Sequence, residues 1–490
     1  MRAAAGILAA CAAALLFAGC PAEQRYHAPA VAAPPEWKTP APWRQAAPAD
    51  ALPREGWWRI FQDDVLNGYE QKLQQGNFTL QAAQDRLQQA RSLARVTTAG
   101  FFPQASVDPG GLRERISGNR LANGSTAPLY PVNQGQLQIP FSISYEADLF
   151  GRNRAKLAAA NASLQASAAD AENVRLILSA ELAAEYFQLR SLDEELAVVA
   201  GSVESQKKAL QLVESRHEGG LANGLEVAQQ KTVLDTSVTQ LALLRGERAG
   251  REHSIAVLLG EPPSSFSLPA AKDAAVAPAI PLGAPSDLLE RRPDIAEAER
   301  AMAYQNAQSG LARAAFYPQI NLGFSGGYQS TDLRSLADAP SAIWAIGADI
   351  MQPLFTGGRN RANLAASRAA YEESVAGYRQ AVLVAMQQVE DALASLSAID
   401  EAEKSQQAAV ADAQKSLQIA TNRYQGGVSD YLDVVTAQTA LLASQRQAVE
   451  LQGQRMTATV YLIKALGGGW SRTAINGQQI HPEKKQILAR

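Results

Sequence analysis

From Arg359 to Leu466 the apolar positions recur on a seven-residue period. One register holds Val375, Val382, Val389, Leu396, Val410, Leu417 and Tyr424. Its partner, four residues earlier, holds Tyr371, Tyr378, Ala385, Ala392, Ile399, Ala413 and Ala420. A seam of this kind kept over about eight heptads predicts a helix packed like a coiled coil. Glu403 and Gln406 interrupt it about halfway, and no Gly or Pro falls between Arg379 and Gln425. At about 1.5 Å of rise per residue, a helix from Arg359 to Tyr424 extends roughly 100 Å, several times the ordinary globular length. The turn Arg423-Tyr-Gln-Gly-Gly-Val-Ser-Asp-Tyr-Leu-Asp433 then sends the chain back along a second helix. The seam residues are mostly Ala and Val, so neighbouring helices can approach closely.

The same pattern appears about 207 residues upstream. Arg152-Asn153-Arg154 answers Arg359-Asn360-Arg361, and Leu182, Leu189, Leu196, Val203 and Leu210 occupy the seam. Arg216-His-Glu-Gly-Gly-Leu-Ala-Asn-Gly-Leu-Glu226 answers the Arg423–Asp433 turn, and Leu258-Leu-Gly260 answers Ala465-Leu-Gly467. A constant offset through helices this long indicates an internal duplication. Arg175 stands in a seam position of the first copy, so the copies are not equivalent everywhere.

Each long helix is preceded by a change of period. Leu66 to Thr98 reads as a helix, with Leu73, Leu80, Leu87 and Ala94 at heptad spacing, and Leu288 to Ala315 is its counterpart. Both end in matched turns, Gly100-Phe-Phe-Pro-Gln104 and Ala315-Phe-Tyr-Pro-Gln319, where proline stops the helix. Leu137, Ile139, Phe141, Ile143 and Tyr145 then alternate with polar residues, as do Ile320, Leu322, Phe324 and Tyr328 in the second copy. Each copy has room for about two strands, near Gln104–Ile116 and Gln134–Tyr145, then near Gln319–Gln329 and Ile343–Met351. Alternation with a polar second face fits a membrane barrel strand, and it also fits a half-buried strand of a soluble sandwich. Four strands cannot close a membrane barrel, and an open edge in lipid leaves backbone groups unpaired. A barrel would therefore be completed by other chains.

The N-terminus adds a destination. Arg2 and the apolar Ala3–Phe17 stretch form a targeting segment too short to span a bilayer well. Phe17-Ala-Gly-Cys20 looks like a lipoprotein cleavage box, which would make Cys20 the acylated first residue. Leu8-Ala-Ala-Cys11 also fits by letters, but it would leave an apolar region of only about five residues. Both cysteines lie in this segment, so the mature chain has no disulfide. Gln24 to Arg54, rich in Ala and Pro, reads as an extended strap. With 45 Lys and Arg against 48 Asp and Glu, the net charge is −3, which gives no support for nucleic-acid binding. No mature stretch reaches about 18 continuous apolar residues, which argues against a spanning helix. The four histidines, His27, His217, His253 and His481, have no metal-ligand spacing. No phosphate loop or cysteine nucleophile is present, so no enzymatic activity and no cofactor are expected. In Arg291-Arg-Pro-Asp294, Pro293 and Asp294 suit the opening turn of a helix.

Trp57-Trp-Arg-Ile-Phe61, Arg291-Arg-Pro-Asp294, the two Phe-Phe/Tyr-Pro-Gln turns, Pro353-Leu-Phe-Thr-Gly-Gly-Arg359, Arg423-Tyr-Gln-Gly-Gly-Val and Leu432-Asp-Val434 together span essentially the whole mature chain. With Cys20, they make the chain resemble an outer-membrane efflux protein of the TolC superfamily, in the lipoprotein branch of resistance-nodulation-division systems. The resemblance implies an α+β membrane protein: a trimeric twelve-stranded β-barrel, four strands per chain, continuous with a long periplasmic α-helical barrel. It divides the chain into a signal peptide (1–19), a lipidated strap (20–56), a first repeat (57–265), a linker (266–287), a second repeat (288–467) and a tail (468–490). It implies a homotrimer in outer-membrane lipid, joined to an inner-membrane pump through a periplasmic adaptor. In the family the second-copy tip carries an acidic gate. Asp433 matches it by motif and Asp430 by location, and Asp430 also suits a helix cap. Arg423 and Tyr424 are candidate tethers of the closed state, with Asn223 of a neighbouring tip among their partners. Gly219, Gly220, Leu221, Gly426, Gly427 and Val428 are candidate adaptor contacts, and the glycines also suit plain turn chemistry. A type I protein-secretion channel and a non-conducting periplasmic scaffold are the alternatives.

Overall fold

The two copies begin and end on matching residues. In the computed structural model, helices α3 (Arg152–Glu218) and α6 (Arg359–Gln425) have 67 residues each, and α4 (Gly224–Leu258) and α7 (Tyr431–Ala465) have 35 each. All four boundaries repeat at an offset of 207. The shorter helices are α1 (Asp64–Gly76), α2 (Phe78–Thr98) and α5 (Pro293–Ala314). The sheet contains β1 (Gln104–Val107), β2 (Gly110–Ile116), β3 (Val132–Glu146), β4 (Gln319–Ser330) and β5 (Ala342–Met351). The described residues are 56–117, 131–270, 277–278, 280–282 and 287–481, with isolated positions between 26 and 45. The signal segment and Cys20 lie outside them.

The sheet is an antiparallel meander four strands wide. β1 and β2 lie end to end along β3, and their register runs on unbroken from Val107 opposite Phe141 to Gly110 opposite Gln138. The expected single strand Gln104–Ile116 is thus split at Asp108-Pro109, because proline has no N–H to give the ladder. β3 pairs β4, and β4 pairs β5. One face carries Val107, Phe141, Ile143, Phe324, Leu322, Ile346 and Ile350; Ser142, Ser144, Ser325 and Gln329 lie on the other. The apolar face is uncovered: Trp344 is 76% exposed and Ile346 75%. Among the described residues, β5 and the β1–β2 line each have one unpaired edge.

Beneath the sheet, α3 packs on α4 and α7, and α7 packs on α6. The long helices start at the sheet through one device used twice. Asn153 Nδ2 donates to Gly100 O (3.1 Å), and Asn360 Nδ2 donates to Ala315 O (2.9 Å). Each asparagine caps the C-terminal end of the helix that leads into its sheet segment, which explains the repeated Arg-Asn-Arg. The predicted seam is buried from Val375 to Ile399 and only half-buried from Val410 to Ala420. One window of α6 reaches a mean hydropathy of 1.2, apolar enough to span a bilayer by composition. However, its Val382, Ala385, Val389 and Leu393 belong to the main core. The two seam breakers are cross-links to α7: Arg455 Nη1 donates to Glu403 Oε2 (2.5 Å), and Gln406 Nε2 donates to Ser444 O (2.9 Å). Arg175 pairs with Glu172 at 2.9 Å.

The helix expected over Leu66–Thr98 is two helices. It breaks at Asn77, whose backbone is extended and whose side chain caps Leu80 N. The break lets α1 and α2 sit on the end of α4, where Asn77 Nδ2 donates to Leu258 O (2.8 Å). Gly260, at φ +73, meets Gly76 here so closely that a Cβ would fall 2.2 Å from Gly76 O. The second copy uses different chemistry at the matched place. Gly467, at φ +89, abuts Arg291 O, and the buried Arg292 joins α7 to α5. Its guanidinium donates to Ala465 O (2.9 Å), Gln388 Oε1 (2.8 Å) and both Asp294 oxygens (3.0 and 2.6 Å). Pro293 and Asp294 open α5 as expected. At the N-terminal side Trp57, Phe61, Tyr186 and Phe187 form an aromatic cluster. A parallel bridge of Arg44–Gln45 with Pro281–Leu282 ties the strap to the inter-repeat linker. The tail is not a loose end over its described part: Trp470 is buried with Ala168, Ala169, Ala296 and Ile475.

Removing the Arg292 guanidinium takes the donor from a helix-end carbonyl and, among the described residues, leaves the Asp294 carboxylate with only the Ile295 N–H at one joint. Arg292→Ala is expected to cost about 2–4 kcal/mol. It should appear as a lower thermal unfolding midpoint in detergent. An unchanged midpoint would show that the joint does not depend on this side chain.

Candidate gate at the helix tips

The two helical hairpins end in turns of one design. Leu221 N donates to Arg216 O (2.7 Å) and Val428 N to Arg423 O (2.9 Å). In each turn only the second glycine has positive φ, Gly220 at +75 and Gly427 at +67, where L side chains are strained. Gly219 and Gly426 have ordinary helical angles, so turn geometry does not require glycine there. Leu221 and Val428 are 74% and 71% exposed, and Leu225 and Leu432 are also exposed. These four make an apolar knob at the end of the molecule. Leu225 and Leu432 were not among the predicted contacts. Their signal was the repeat itself, which places an apolar residue four after Leu221 and four after Val428.

Above the knob, the second-copy tip is held to the first within one chain. Tyr424 is buried with Val213, Tyr431 and Val434. Its hydroxyl donates to Glu226 Oε2 (2.6 Å), and the Arg216 guanidinium lies 4.7 Å from its ring centroid. Its ring packs edge-on against Tyr431 at 4.8 Å. Tyr431 donates to Gln230 Oε1 (2.7 Å), and Gln230 Nε2 donates to Gln206 O (3.0 Å). The predicted tether Tyr424 is therefore placed between the two copies of the same chain. Asn223 is occupied in a capping box with Glu226. Burial and the hydrogen bond to Glu226, with that carboxylate's charge, push the Tyr424 hydroxyl up to about 12, against the opposing Arg216.

The predicted acidic pair is placed differently. Asp430 stands at the N-cap of α7, but its side chain makes no capping bond. Asp433 lies in the first turn, where a carboxylate suits the helix dipole. Both are exposed, as is Arg423. Among the described residues, none of these three side chains has a hydrogen-bond or ion-pair partner. Glu226 is thus committed, and the Asp430 and Asp433 carboxylates are free to face whatever stands opposite.

The outer membrane efflux protein family model matches residues 70–261 and 284–468. The chain is 33% identical over 441 residues to the pyoverdine export outer membrane protein OpmQ of Pseudomonas aeruginosa, covering 90% of this chain and 92% of that one. It is 30% identical over 463 residues to the cation efflux system protein CusC of Escherichia coli, covering 94% and 98%. Among solved structures it resembles the outer-membrane channel OprN, with a TM-score of 0.81 at 27% identity, over 89% of this chain and 99% of that one.

Tyr424→Phe removes the hydroxyl and leaves Glu226 without its partner. A loss of about 1.4 kcal/mol, at the boundary between an ordinary hydrogen bond and one to a charged group, corresponds to a tenfold shift. Hydrogen exchange at the tip amides should therefore speed up roughly tenfold, and unchanged exchange would show that the bond carries no weight. The acid form of Tyr424 is favoured in the folded state, so the contact is fully present below the ordinary tyrosine range near pH 10. It should be lost as pH rises through about 12. Tip protection, corrected for intrinsic exchange, should stay flat from about pH 6 to pH 9 on this account.

Proposed function

The chain belongs to the outer membrane efflux protein family, and from that membership we infer that three copies of it form the outer-membrane exit channel of a tripartite efflux system. One observation carries this reading: a sheet four strands wide with an uncovered apolar face and, among the described residues, both edges unpaired. The smallest membrane barrels have about eight strands, so one chain cannot close one, while three supply twelve. Helices α3 and α6, at roughly 100 Å each, continue the wall into the periplasm. The family is a channel family and not an enzyme family. The relatives named for pyoverdine export and cation efflux favour pump-coupled export over type I protein secretion. A scaffold in water would have no use for the uncovered apolar sheet face.

In this reading cargo passes from an inner-membrane pump of the resistance-nodulation-division type, through a periplasmic adaptor, into the channel. The knob of Leu221, Leu225, Val428 and Leu432, with Gly219, Gly220, Gly426 and Gly427, meets the adaptor. Cys20 is acylated and holds the strap at the membrane. Asp430 and Asp433, repeated three times around the axis, line the constriction. Clustered carboxylates favour cations there and repel one another, so Tyr424 and Arg423 hold the closed packing until the adaptor shifts it.

The reading predicts about three times the chain mass by mass photometry in mild detergent; a stable monomer with its full strand content would overturn it. Radiolabelled palmitate should enter the wild type and not Cys20→Ala, which keeps partial export because the barrel also holds the membrane. Asp430→Ala with Asp433→Ala should weaken cation selectivity and cation block in planar bilayers. Unchanged selectivity would leave Asp430 as an ordinary N-cap residue and Asp433 as an ordinary first-turn acid.

A further inference from the structure

Six near-identical hairpins around one axis need six junctions, and a single chain contains only one of the two kinds. That junction joins the second-copy hairpin to the first. In it, first-copy Arg216 and Glu226 hold second-copy Tyr424. Higher up, Gly453 of α7 approaches Ser191 of α3 so closely that a Cβ would fall 2.4 Å from its Oγ.

The offset of 207 identifies the residues that stand at the same places on the faces left open. Tyr424 becomes His217, Arg216 becomes Arg423, and Glu226 becomes Asp433. Gly453 becomes Gly246, and Ser191 becomes Ala398. All five substitutes are exposed in the single chain. Arg423 and Asp433 have no polar side-chain partner among the described residues. His217 Nδ1 bonds Ala222 O of its own turn at 2.8 Å, so it carries the proton there and Nε2 points to no described partner. Gly246 has nothing within 4 Å of a Cβ. A glycine inside an exposed helix costs about 1 kcal/mol relative to alanine, and the single chain supplies no reason for it. A neighbouring helix arriving as closely as α3 does at Gly453 would supply one.

We propose that each junction between subunits repeats the junction within the chain, with His217 docked between Arg423 and Asp433 of the partner subunit and Gly246 packed on Ala398 of the partner subunit. This rests on the trimer reading above. A ring closed by rotation uses two complementary patches on every copy, and the duplication makes those patches relatives of the pair already in contact. The chemistry at the tip is complementary. With Nδ1 donating, Nε2 of the neutral ring accepts from the partner subunit's Arg423, and Nε2–H of the imidazolium donates to the partner subunit's Asp433. The junctions are thus related in position and different in kind, a buried tyrosine within the chain and an exposed histidine between chains.

The mature chain has no cysteine beyond Cys20, which makes trapping with a short bis-maleimide crosslinker clean; the linker spans the gap two long side chains leave, which a direct disulfide cannot. In the full-length protein in detergent, His217→Cys with Asp433→Cys should give dimer and trimer bands on crosslinking. Tyr424→Cys with Glu226→Cys should close within the chain and give no dimer or trimer band. Gly246→Leu, which meets no neighbour in the single chain, should lower the trimer fraction severalfold. A particle of trimer mass in which the Tyr424–Glu226 pair closes but His217 and Asp433 never join would overturn the proposed junction and leave the trimer standing. A particle of monomer mass would overturn both. A trimer fraction unmoved by Gly246→Leu would overturn the upper half of the junction.

Discussion

Backbone N–H and C=O groups at a sheet edge cannot remain unpaired in hydrocarbon, where each costs several kcal/mol. For this chain that single requirement organises the rest. Its sheet leaves an apolar face uncovered along β3, β4 and β5 and, among the described residues, leaves the edges of β5 and the β1–β2 line open. In the channel proposed above those edges pair with other copies, and the ring they close would set the number and spacing of the helices below. Asn153 and Asn360 connect sheet to helix by the same bond in both copies. The geometry of the sheet is thereby handed to α3 and α6 at their first residues.

The helices have the opposite problem. A 67-residue helix has far more side than end, so its stability comes from what lies along it. The seam of small residues lets α3, α6 and α7 close tightly. The two polar interruptions become cross-links to α7 rather than faults. Shorter helices complete the wall by stacking end on end, α1 and α2 above α4, and α5 above α7. A stacked joint leaves carbonyls of one helix facing the start of another. The first copy satisfies them with Asn77 and the second with the buried Arg292, one structural problem met by two kinds of side chain.

The copies diverge most where they meet water at the tips. Glu226 is bound to Tyr424, braced by Arg216, and occupied in its own helix cap. Asp433 holds the same place in the second copy, and its side chain has no partner among the described residues. Duplication has therefore produced one carboxylate that fastens the two hairpins together and another that stays exposed. The electrostatic gate proposed above would use this division, because mutually repelling charges at a constriction require fixed contacts elsewhere to hold them together.

Much of the architecture was legible in the residues because it rests on period and repetition. The heptads of α6, the 207-residue offset, the alternation along Ile139–Tyr145 and the proline turns are local patterns, and each leads to its element. The break at Asn77 was not legible, because nothing in the run from Leu66 to Thr98 shows that the end of α4 will arrive beside it. The role of Arg292 was hidden for the same reason: its partners Ala465 and Gln388 lie 173 and 96 residues away. At the tip, the sequence located the acidic pair and Tyr424 but could not say which carboxylate Tyr424 would take. Spacing along the chain determines which faces a helix presents. Which of those faces meet is decided only when the helices pack, because contacts between distant segments depend on how they cross in space.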